Sequence, residues 1–125
     1  MKKKTFCFDI DNVICKTKKS DYKKSKPIKK NIDIINELKF RGHLIKIHTA
    51  RYMGRNFDDI NKAKKQGYKF TQKQLKKWNV KYDQLIFGKP SYDLFIDDKN
   101  LSHSSNWSDQ IKKIYLKQVN LRKNK

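Results

Sequence analysis

The sequence predicts a single α/β domain with a mostly parallel sheet flanked by helices. Short apolar segments of strand length each run into polar residues, at 5–8, 44–49, 84–87 and 94–96. A segment of helical periodicity separates the first two, and Gly42 marks its end. A strand, a helix and a strand in this order form a right-handed crossover, which makes the two strands parallel.

The chain length limits the number of domains. With 125 residues there is enough chain for one real core and too little for a second independent one. We therefore expect one domain over residues 1–125, with a frayed basic tail from about residue 120.

The first helix follows a lysine- and serine-rich loop at residues 16–26. Pro27 is expected in its first turn, because proline is tolerated there. Its apolar positions recur at helical spacing, at Ile28, Ile32, Ile35 and Leu38.

The middle of the chain is harder to interpret. Residues 56–66 are predicted as a polar helix that ends near Gly67, and Thr71 as the N-cap of a separate helix over residues 72–78. A last helix is predicted from the apolar residues Trp107, Ile111, Ile114, Tyr115 and Val119.

Two strands end in paired aspartates. Asp9 and Asp11 leave the first strand on one side, because side chains alternate along a strand, and their charges repel unless a cation or a proton lies between them. Residues 94–96 run into Asp97 and Asp98 in the same way. The carboxyl ends of parallel strands meet at one edge of the sheet, so the four carboxylates predict a site for a hard cation such as Mg²⁺.

The net charge indicates anionic partners. The 32 Lys and Arg against 12 Asp and Glu give +20, which attracts phosphorylated metabolites, nucleic acid or an anionic membrane face. The lysines are dispersed along the chain, which argues against a dedicated nucleic-acid stripe, and an AT-biased genome would produce the same composition. Two cysteines without a Cys-X-X-Cys pair favour a reduced, cytoplasmic protein, and no segment has the length to span a bilayer.

Four motifs in order carry a family resemblance. They are Asp9-Ile10-Asp11, Thr49, Lys89 and Asp97-Asp98, each following an apolar run, and they resemble the signature motifs of the haloacid dehalogenase (HAD) superfamily over roughly residues 5–115. Within it, the segments around Asn12, Arg51 and Pro90 are most similar to small phosphatases of bacterial surface-polysaccharide biosynthesis. Asn12 stands where glycine is commonest in the family, and asparagine tolerates the left-handed backbone that such a turn requires.

The resemblance implies a role for each motif residue. Asp9 is expected to attack phosphorus and form an aspartyl-phosphate, and Asp11 to protonate the leaving group and then take a proton from water. Thr49 is expected to donate to a phosphate oxygen, and Lys89 to neutralise Asp9 and the phosphoryl group.

The resemblance also implies a magnesium site. Its expected ligands are the Asp9 carboxylate, the Asp11 backbone carbonyl and one or both of Asp97 and Asp98. Asp98 aligns better with the direct ligand, and Asp97 with an outer-shell position.

Substrate specificity is expected to depend on short segments, since no insertion is long enough for a cap domain. Arg51 and Tyr52 directly follow Thr49, and they are expected to bind the non-transferred part of a substrate. The open site would be shielded by the loop at residues 16–26, by residues 51–70 or by a neighbouring subunit of a homo-oligomer.

The function predicted is that of a Mg²⁺-dependent, HAD-type phosphatase without a cap, acting on a sugar phosphate of surface-polysaccharide biosynthesis. The alternatives are a polynucleotide 3′-phosphatase or nucleotidase, which the charge of +20 would suit, and a phosphate-binding module without catalysis. Asp11 disfavours the binding module, because a binder needs no acid/base group.

Overall fold

The chain forms an α/β fold in which three of the four predicted strands are present, at residues 5–8, 44–49 and 84–87. A computed structural model describes residues 2–116. Its elements are β1 (Thr5–Phe8), β2 (Cys15–Lys16), β3 (Lys26–Pro27), α1 (Lys29–Phe40), β4 (Leu44–Thr49), α2 (Ile60–Lys77), β5 (Gln84–Phe87) and α3 (Trp107–Tyr115). Short 3₁₀ turns lie at Tyr22–Lys24 and Gly54–Asn56.

The main sheet has three parallel strands. β4 lies between β1 and β5; Phe8 pairs with Ile47, and Thr49 pairs with Phe87. β2 and β3 form a separate antiparallel pair. The predicted α/β class and the parallel pairing of the first two strands are confirmed. The carboxyl ends of all three strands therefore face the same edge of the sheet.

The core forms because the inward positions of strands and helices are apolar. Along β4, buried Ile45 and Ile47 alternate with partly exposed side chains, as expected for a strand with period two. The helices α1 and α3 contact each other, and α2 contacts β5. The main cluster includes the buried side chains Phe8, Ile32, Ile35, Leu38, Ile45, Ile47, Leu75, Trp107 and Ile111.

The ends of α1 and α3 refine the predictions. α1 begins at Lys29, so Pro27 lies in β3 and not in the first helical turn. Gly42 follows the helix with φ +94°, a left-handed conformation that glycine adopts at no steric cost, and it confirms the predicted stop. α3 begins at Trp107; Val119 and the tail from residue 120 lie outside the described residues.

The predicted strand at residues 94–96 is wrong. These residues form no helix or strand, and Leu94, Phe95 and Ile96 are exposed. Three apolar residues bury little surface unless they dock on a sheet, and here the Phe95 ring packs against Tyr92 instead, with 5.0 Å between ring centroids. Among residues 2–116, β1 therefore pairs on one side only.

The predicted break between two helices at residues 67–71 is also wrong, because α2 runs through it. Asp59 caps this helix, and its side chain accepts a hydrogen bond from the backbone N–H of Lys62 at 3.1 Å. Gly67 lies inside the helix, where its lack of a side chain leaves room for Tyr52. A Cβ at this position would overlap the Tyr52 ring. Thr71 is fully buried on the inner face of α2.

Gly67→Ala is expected to destabilise the fold, although alanine is the better helix former by about 1 kcal/mol. The new methyl group would overlap the Tyr52 ring, whose backbone already has φ +67°. Overpacking of this kind costs about 1–3 kcal/mol, and overlap with several ring atoms places the cost at about 2–3 kcal/mol. After the gain of about 1 kcal/mol in helix propensity, we expect the free energy of unfolding to fall by about 1–2 kcal/mol in a urea titration. Gln72→Ala, at an exposed position of the same helix, is the control and should change it by less than about 0.5 kcal/mol. A Gly67→Ala protein as stable as wild type would contradict this packing.

Within residues 2–116, none of the helices combines the length and the apolar character that crossing a bilayer requires.

Candidate active site

The candidate site begins where β1 ends, in a compact turn. The carbonyl oxygen of Ile10 accepts hydrogen bonds from the backbone N–H groups of Val13, Ile14 and Cys15, at 3.1, 2.8 and 3.3 Å. Asn12 has φ +65°, which confirms the expected left-handed turn at this position. The turn holds Asp9 and Asp11 on either side of the buried Ile10.

Asp9 forms an ion pair with Lys89, which follows β5. The Nζ of Lys89 lies 3.3 Å from Oδ2 of Asp9, and Oδ1 accepts from the backbone N–H of Ile10 at 2.8 Å. Burial raises the pKa of the Asp9 carboxyl, and the charge of Lys89 acts against this rise. The pair thus brings together the ends of β1 and β5.

Lys89 is held from its other side by aromatic groups. Its Nζ lies 4.8 Å from the ring centroid of Phe95 and 5.2 Å from that of Tyr92, at cation–π distance. Desolvation lowers the pKa of Lys89, but a hydrogen bond with the Tyr92 side chain and the charge of Asp9 raise it by more. The net effect is a raised pKa for Lys89. Lys89 therefore stays protonated and positively charged beside Asp9 at neutral pH.

Asp11 is surrounded by hydrogen-bond donors. Its Oδ1 accepts from the hydroxyl of Thr17 at 2.6 Å, from Nη2 of Arg51 at 2.9 Å and from Nε of Arg51 at 3.2 Å. Its Oδ2 accepts from Nε of Arg51 at 3.0 Å. The Sγ of Cys15 adds a longer contact to Oδ1, at 3.7 Å. The loop at residues 16–26 thus shields Asp11 through Thr17, which is one of the three expected forms of shielding.

Thr49 lies at the end of β4, between the two aspartates and Lys89 in strand order. It is fully buried, and its Oγ1 accepts from the backbone N–H of Arg51 at 3.1 Å. Its carbonyl oxygen accepts from the backbone N–H of Lys89 at 3.2 Å. The predicted site residues of the three strands are thus joined by direct contacts.

Arg51 and Tyr52 have different surroundings from those the sequence suggested. Arg51 is 1% exposed, and the Tyr52 ring packs against Gly67 and, at 4.9 Å between centroids, Tyr22. A part in binding the non-transferred portion of a substrate stays a prediction for both. The contacts of Arg51 are made with the chain itself.

Asp97 and Asp98 do not join the other carboxylates. Among residues 2–116, no three His, Cys, Asp or Glu side chains lie close enough together to hold a metal ion. Both aspartates are exposed, and Oδ1 of Asp97 accepts from the backbone N–H of Lys99 at 3.3 Å. The hydrogen bond from Lys99 is the main cause of a lowered pKa at Asp97, and a hydrogen bond with the Asp98 side chain is the next.

The segment that carries them still reaches the site. His103 Nε2 lies 2.7 Å from the carbonyl oxygen of Asn12, and the Phe95 ring contacts Lys89. The chain on either side of Asp97 and Asp98 is thus anchored near the end of β1.

Three residues at the site escaped the sequence analysis: Thr17, Tyr22 and Gln74. Gln74 Oε1 accepts from Nη1 of Arg51 at 2.6 Å, and the Arg51 guanidinium lies 4.7 Å from the Tyr22 ring centroid. Gln74 comes from a helix distant from β1 along the chain, and no motif in the lysine- and serine-rich loop distinguishes Thr17 or Tyr22 from its other residues.

The fold and this cluster define an α/β protein with two carboxylates, a lysine and a hydroxyl at the carboxyl edge of a parallel sheet. No family model matches the chain. No curated protein matches it either. Among solved structures, it is similar to the crystal structure of a target protein from Vibrio cholerae, with a TM-score of 0.73 and 25% sequence identity, over 88% of this chain and 97% of that one. This likeness supports the α/β fold and indicates no activity.

Proposed function

We propose that the chain is a phosphate monoester hydrolase of the HAD type, acting through an aspartyl-phosphate on Asp9. The observation that carries this proposal is the pair of carboxylates, Asp9 and Asp11, at the end of β1, each with its own cationic partner. Two carboxylates in different surroundings can take two roles, as nucleophile and as acid/base.

Asp9 suits the nucleophile. The Nζ of Lys89 neutralises its charge at 3.3 Å and would equally neutralise a phosphoryl group that the carboxylate attacks. The Thr49 hydroxyl accepts from a backbone N–H, which leaves its own O–H to donate to a phosphate oxygen.

Asp11 suits the acid/base. It would give a proton to the leaving alkoxide and later take one from the attacking water. A module that only binds phosphate would gain nothing from a second carboxylate beside the first, since like charges repel an anion.

Mg²⁺ is the proposed cofactor. Mg²⁺ prefers oxygen ligands, and these are what the carboxylates of Asp9, Asp97 and Asp98 and the carbonyl of Asp11 would supply. When bound, the ion would neutralise charge on the transferred phosphoryl oxygens. The proposal requires residues 91–101 to bring Asp98 or Asp97 to Asp9. These residues form neither helix nor strand, so their approach would break no hydrogen bonds of a regular element.

The proposed substrate is a small sugar phosphate, and the runner-up is a 3′-phosphorylated polynucleotide. A small dianion meets only the lysines near the site, whereas a polynucleotide displaces counterions along a whole surface. We expect KM for the best substrate of a phosphorylated-metabolite panel to change only a few-fold between about 50 and 200 mM salt.

The same assay on a 3′-phosphorylated oligonucleotide is the comparison. If the oligonucleotide has the higher kcat/KM at physiological salt, with affinity that falls steeply as salt rises, the sugar phosphate is the wrong class and the runner-up replaces it. No turnover of any phosphate ester by pure protein with Mg²⁺ would refute the hydrolase itself.

A further inference from the structure

Arg51 is the one fully buried arginine among residues 2–116, and its donors are directed at the chain. Nε and Nη2 donate to Asp11, and Nη1 donates to Gln74 at 2.6 Å and to Thr71 at 3.4 Å. The flat face of the guanidinium packs on the Tyr22 ring. An arginine has five N–H donors and no acceptor, so this arrangement leaves it little capacity for a ligand.

Such a burial has a cost that needs compensation. A buried guanidinium loses its hydration, and only well-placed partners offset the loss. Here the partners fix it from three directions: Asp11, Gln74 on α2 and the ring of Tyr22. The side chain is therefore held rigidly, and it holds Asp11 in turn.

Gln74 connects the Arg51–Asp11 pair to the loop at residues 16–26. Its Nε2 donates to the carbonyl oxygen of Tyr22 at 2.7 Å, while its Oε1 accepts from Arg51. Thr17 contacts Ser25 Oγ at 2.6 Å and donates to Asp11 Oδ1 at 2.6 Å. Both ends of the loop thus converge on the same carboxylate.

The two oxygens of Asp11 are unequally used. Within residues 2–116, Oδ1 accepts from Thr17 and from two nitrogens of Arg51, whereas Oδ2 accepts from Arg51 Nε alone. Arginine cannot accept a hydrogen bond, so a proton on Asp11 has to point away from it. Oδ2 is the oxygen with room to carry that proton.

We propose that Arg51 is a positioning residue that orients Asp11 so that Oδ2 delivers its proton to the leaving group. The inference rests on the proposed function. As Asp9 forms its bond to phosphorus, the bond to the alcohol oxygen breaks, and that oxygen takes the Oδ2 proton to leave as the alcohol. Water then attacks phosphorus and gives a proton to Asp11, while the Asp9–phosphate bond breaks and restores both carboxyl groups. Arg51 touches neither phosphorus nor water in these steps.

The test uses two substrates that differ in their need for an acid. An alkyl phosphate leaves as a basic alkoxide and needs the proton, whereas p-nitrophenyl phosphate leaves as a stable phenolate and does not. Arg51→Ala is expected to lower kcat/KM for the alkyl phosphate by about 10- to 100-fold, part of the ~10²- to 10⁴-fold that general acid catalysis contributes. For p-nitrophenyl phosphate we expect less than about a 3-fold loss of kcat/KM, because this constant reports the formation of the aspartyl-phosphate and not its hydrolysis, the step that both substrates share.

Two further variants keep the test independent of folding. Arg51→Lys can make one of the bonds to Asp11, so it should recover part of the alkyl-phosphate activity. Gln74→Ala removes the contact at Nη1 and leaves Asp11 its arginine, so it should show a smaller loss with the same substrate preference. If Arg51→Ala does not fold, as judged by its thermal unfolding, these two variants carry the test.

Arg55→Ala is the matched control. Arg55 lies in the 3₁₀ turn Gly54–Asn56, four residues after Arg51, and its guanidinium is 5.5 Å from the Tyr22 ring centroid. It is exposed, however, and donates to the carbonyl oxygen of Ser20 and not to Asp11. Its removal should leave the activity ratio of the two substrates unchanged.

Three results would overturn the inference. An equal loss of kcat/KM with both substrates would show a structural role only, and a raised KM with kcat preserved would show that Arg51 binds substrate directly. A wild-type protein without any hydrolase activity would refute the proposed function, and the inference with it; the first two results refute the inference alone.

Discussion

Asp9→Asn is expected to lower kcat by roughly 10³-fold or more with every phosphate ester that the protein hydrolyses. The amide has nearly the shape of the carboxylate but no charge with which to attack phosphorus. The measurement is steady-state kinetics at saturating substrate. A variant that keeps a tenth of the wild-type activity would refute the assignment of Asp9 as nucleophile.

The control for this variant is Asp109→Asn. Asp109 also pairs with a lysine, Lys30, at 2.7 Å, but it lies exposed on α3 and is not part of the candidate site. This variant removes the same charge and should keep full activity. A comparable loss in both variants would indicate an effect of net charge and not of the nucleophile.

Stability gives a second check on Asp9→Asn. Because burial raises the pKa of Asp9 in the folded protein, ionised Asp9 destabilises the fold at neutral pH, and this cost disappears as the pH falls through the folded pKa towards the unfolded value of about 3.9. The variant should therefore have a Tm equal to or above that of wild type at pH 7, and the difference should shrink towards pH 4. A variant that is inactive and unfolded would leave the fold, and not the chemistry, as the reason for lost turnover.

Removal of Mg²⁺ by EDTA is expected to abolish activity, and added Mg²⁺ to restore it. Ca²⁺ should inhibit, because its larger and less regular coordination shell misplaces the nucleophile. Full activity in a chelated preparation would end the metal hypothesis. Asp98→Ala should raise the Mg²⁺ concentration needed for half-maximal activity more than Asp97→Ala does, and the reverse order would show that the pair is assigned wrongly.

A measurement without turnover can test the same site. If the metal draws residues 91–101 towards Asp9, their amide hydrogen exchange should slow when Mg²⁺ is added to wild type. In Asp98→Ala the exchange of this segment should stay as it is without metal. Unchanged exchange in wild type would contradict the required approach of the segment.

Local sequence patterns were enough to predict the three strands of the main sheet and the polar edge at which they end. The apolar runs that form β1, β4 and β5 end at polar residues, so the polar edge of the sheet was predictable from the amino-acid sequence alone. The turn at Asn12 was predictable for a similar reason, since few residues adopt a positive φ.

The failures arise from contacts between distant parts of the chain. Gly67 suggests the end of a helix because glycine weakens helices, yet the ring of Tyr52 requires the space that glycine leaves. Arg51 is expected at the surface as most arginines are, and only its pairing with Asp11, forty positions earlier, allows its burial. Such long-range pairs have no signature in a single sequence.

The one-sided pairing of β1 has a consequence for how the protein behaves in concentrated solution. Within the described residues this strand has no partner on its outer side, and a strand edge of that kind can pair with a strand of another chain. Lys2, Lys3 and Lys4 lead directly into the strand, and like charges on two copies keep their edges apart. These lysines are therefore expected to oppose edge-to-edge association of two copies, and salt is expected to weaken this effect, since screening shortens the range of the repulsion.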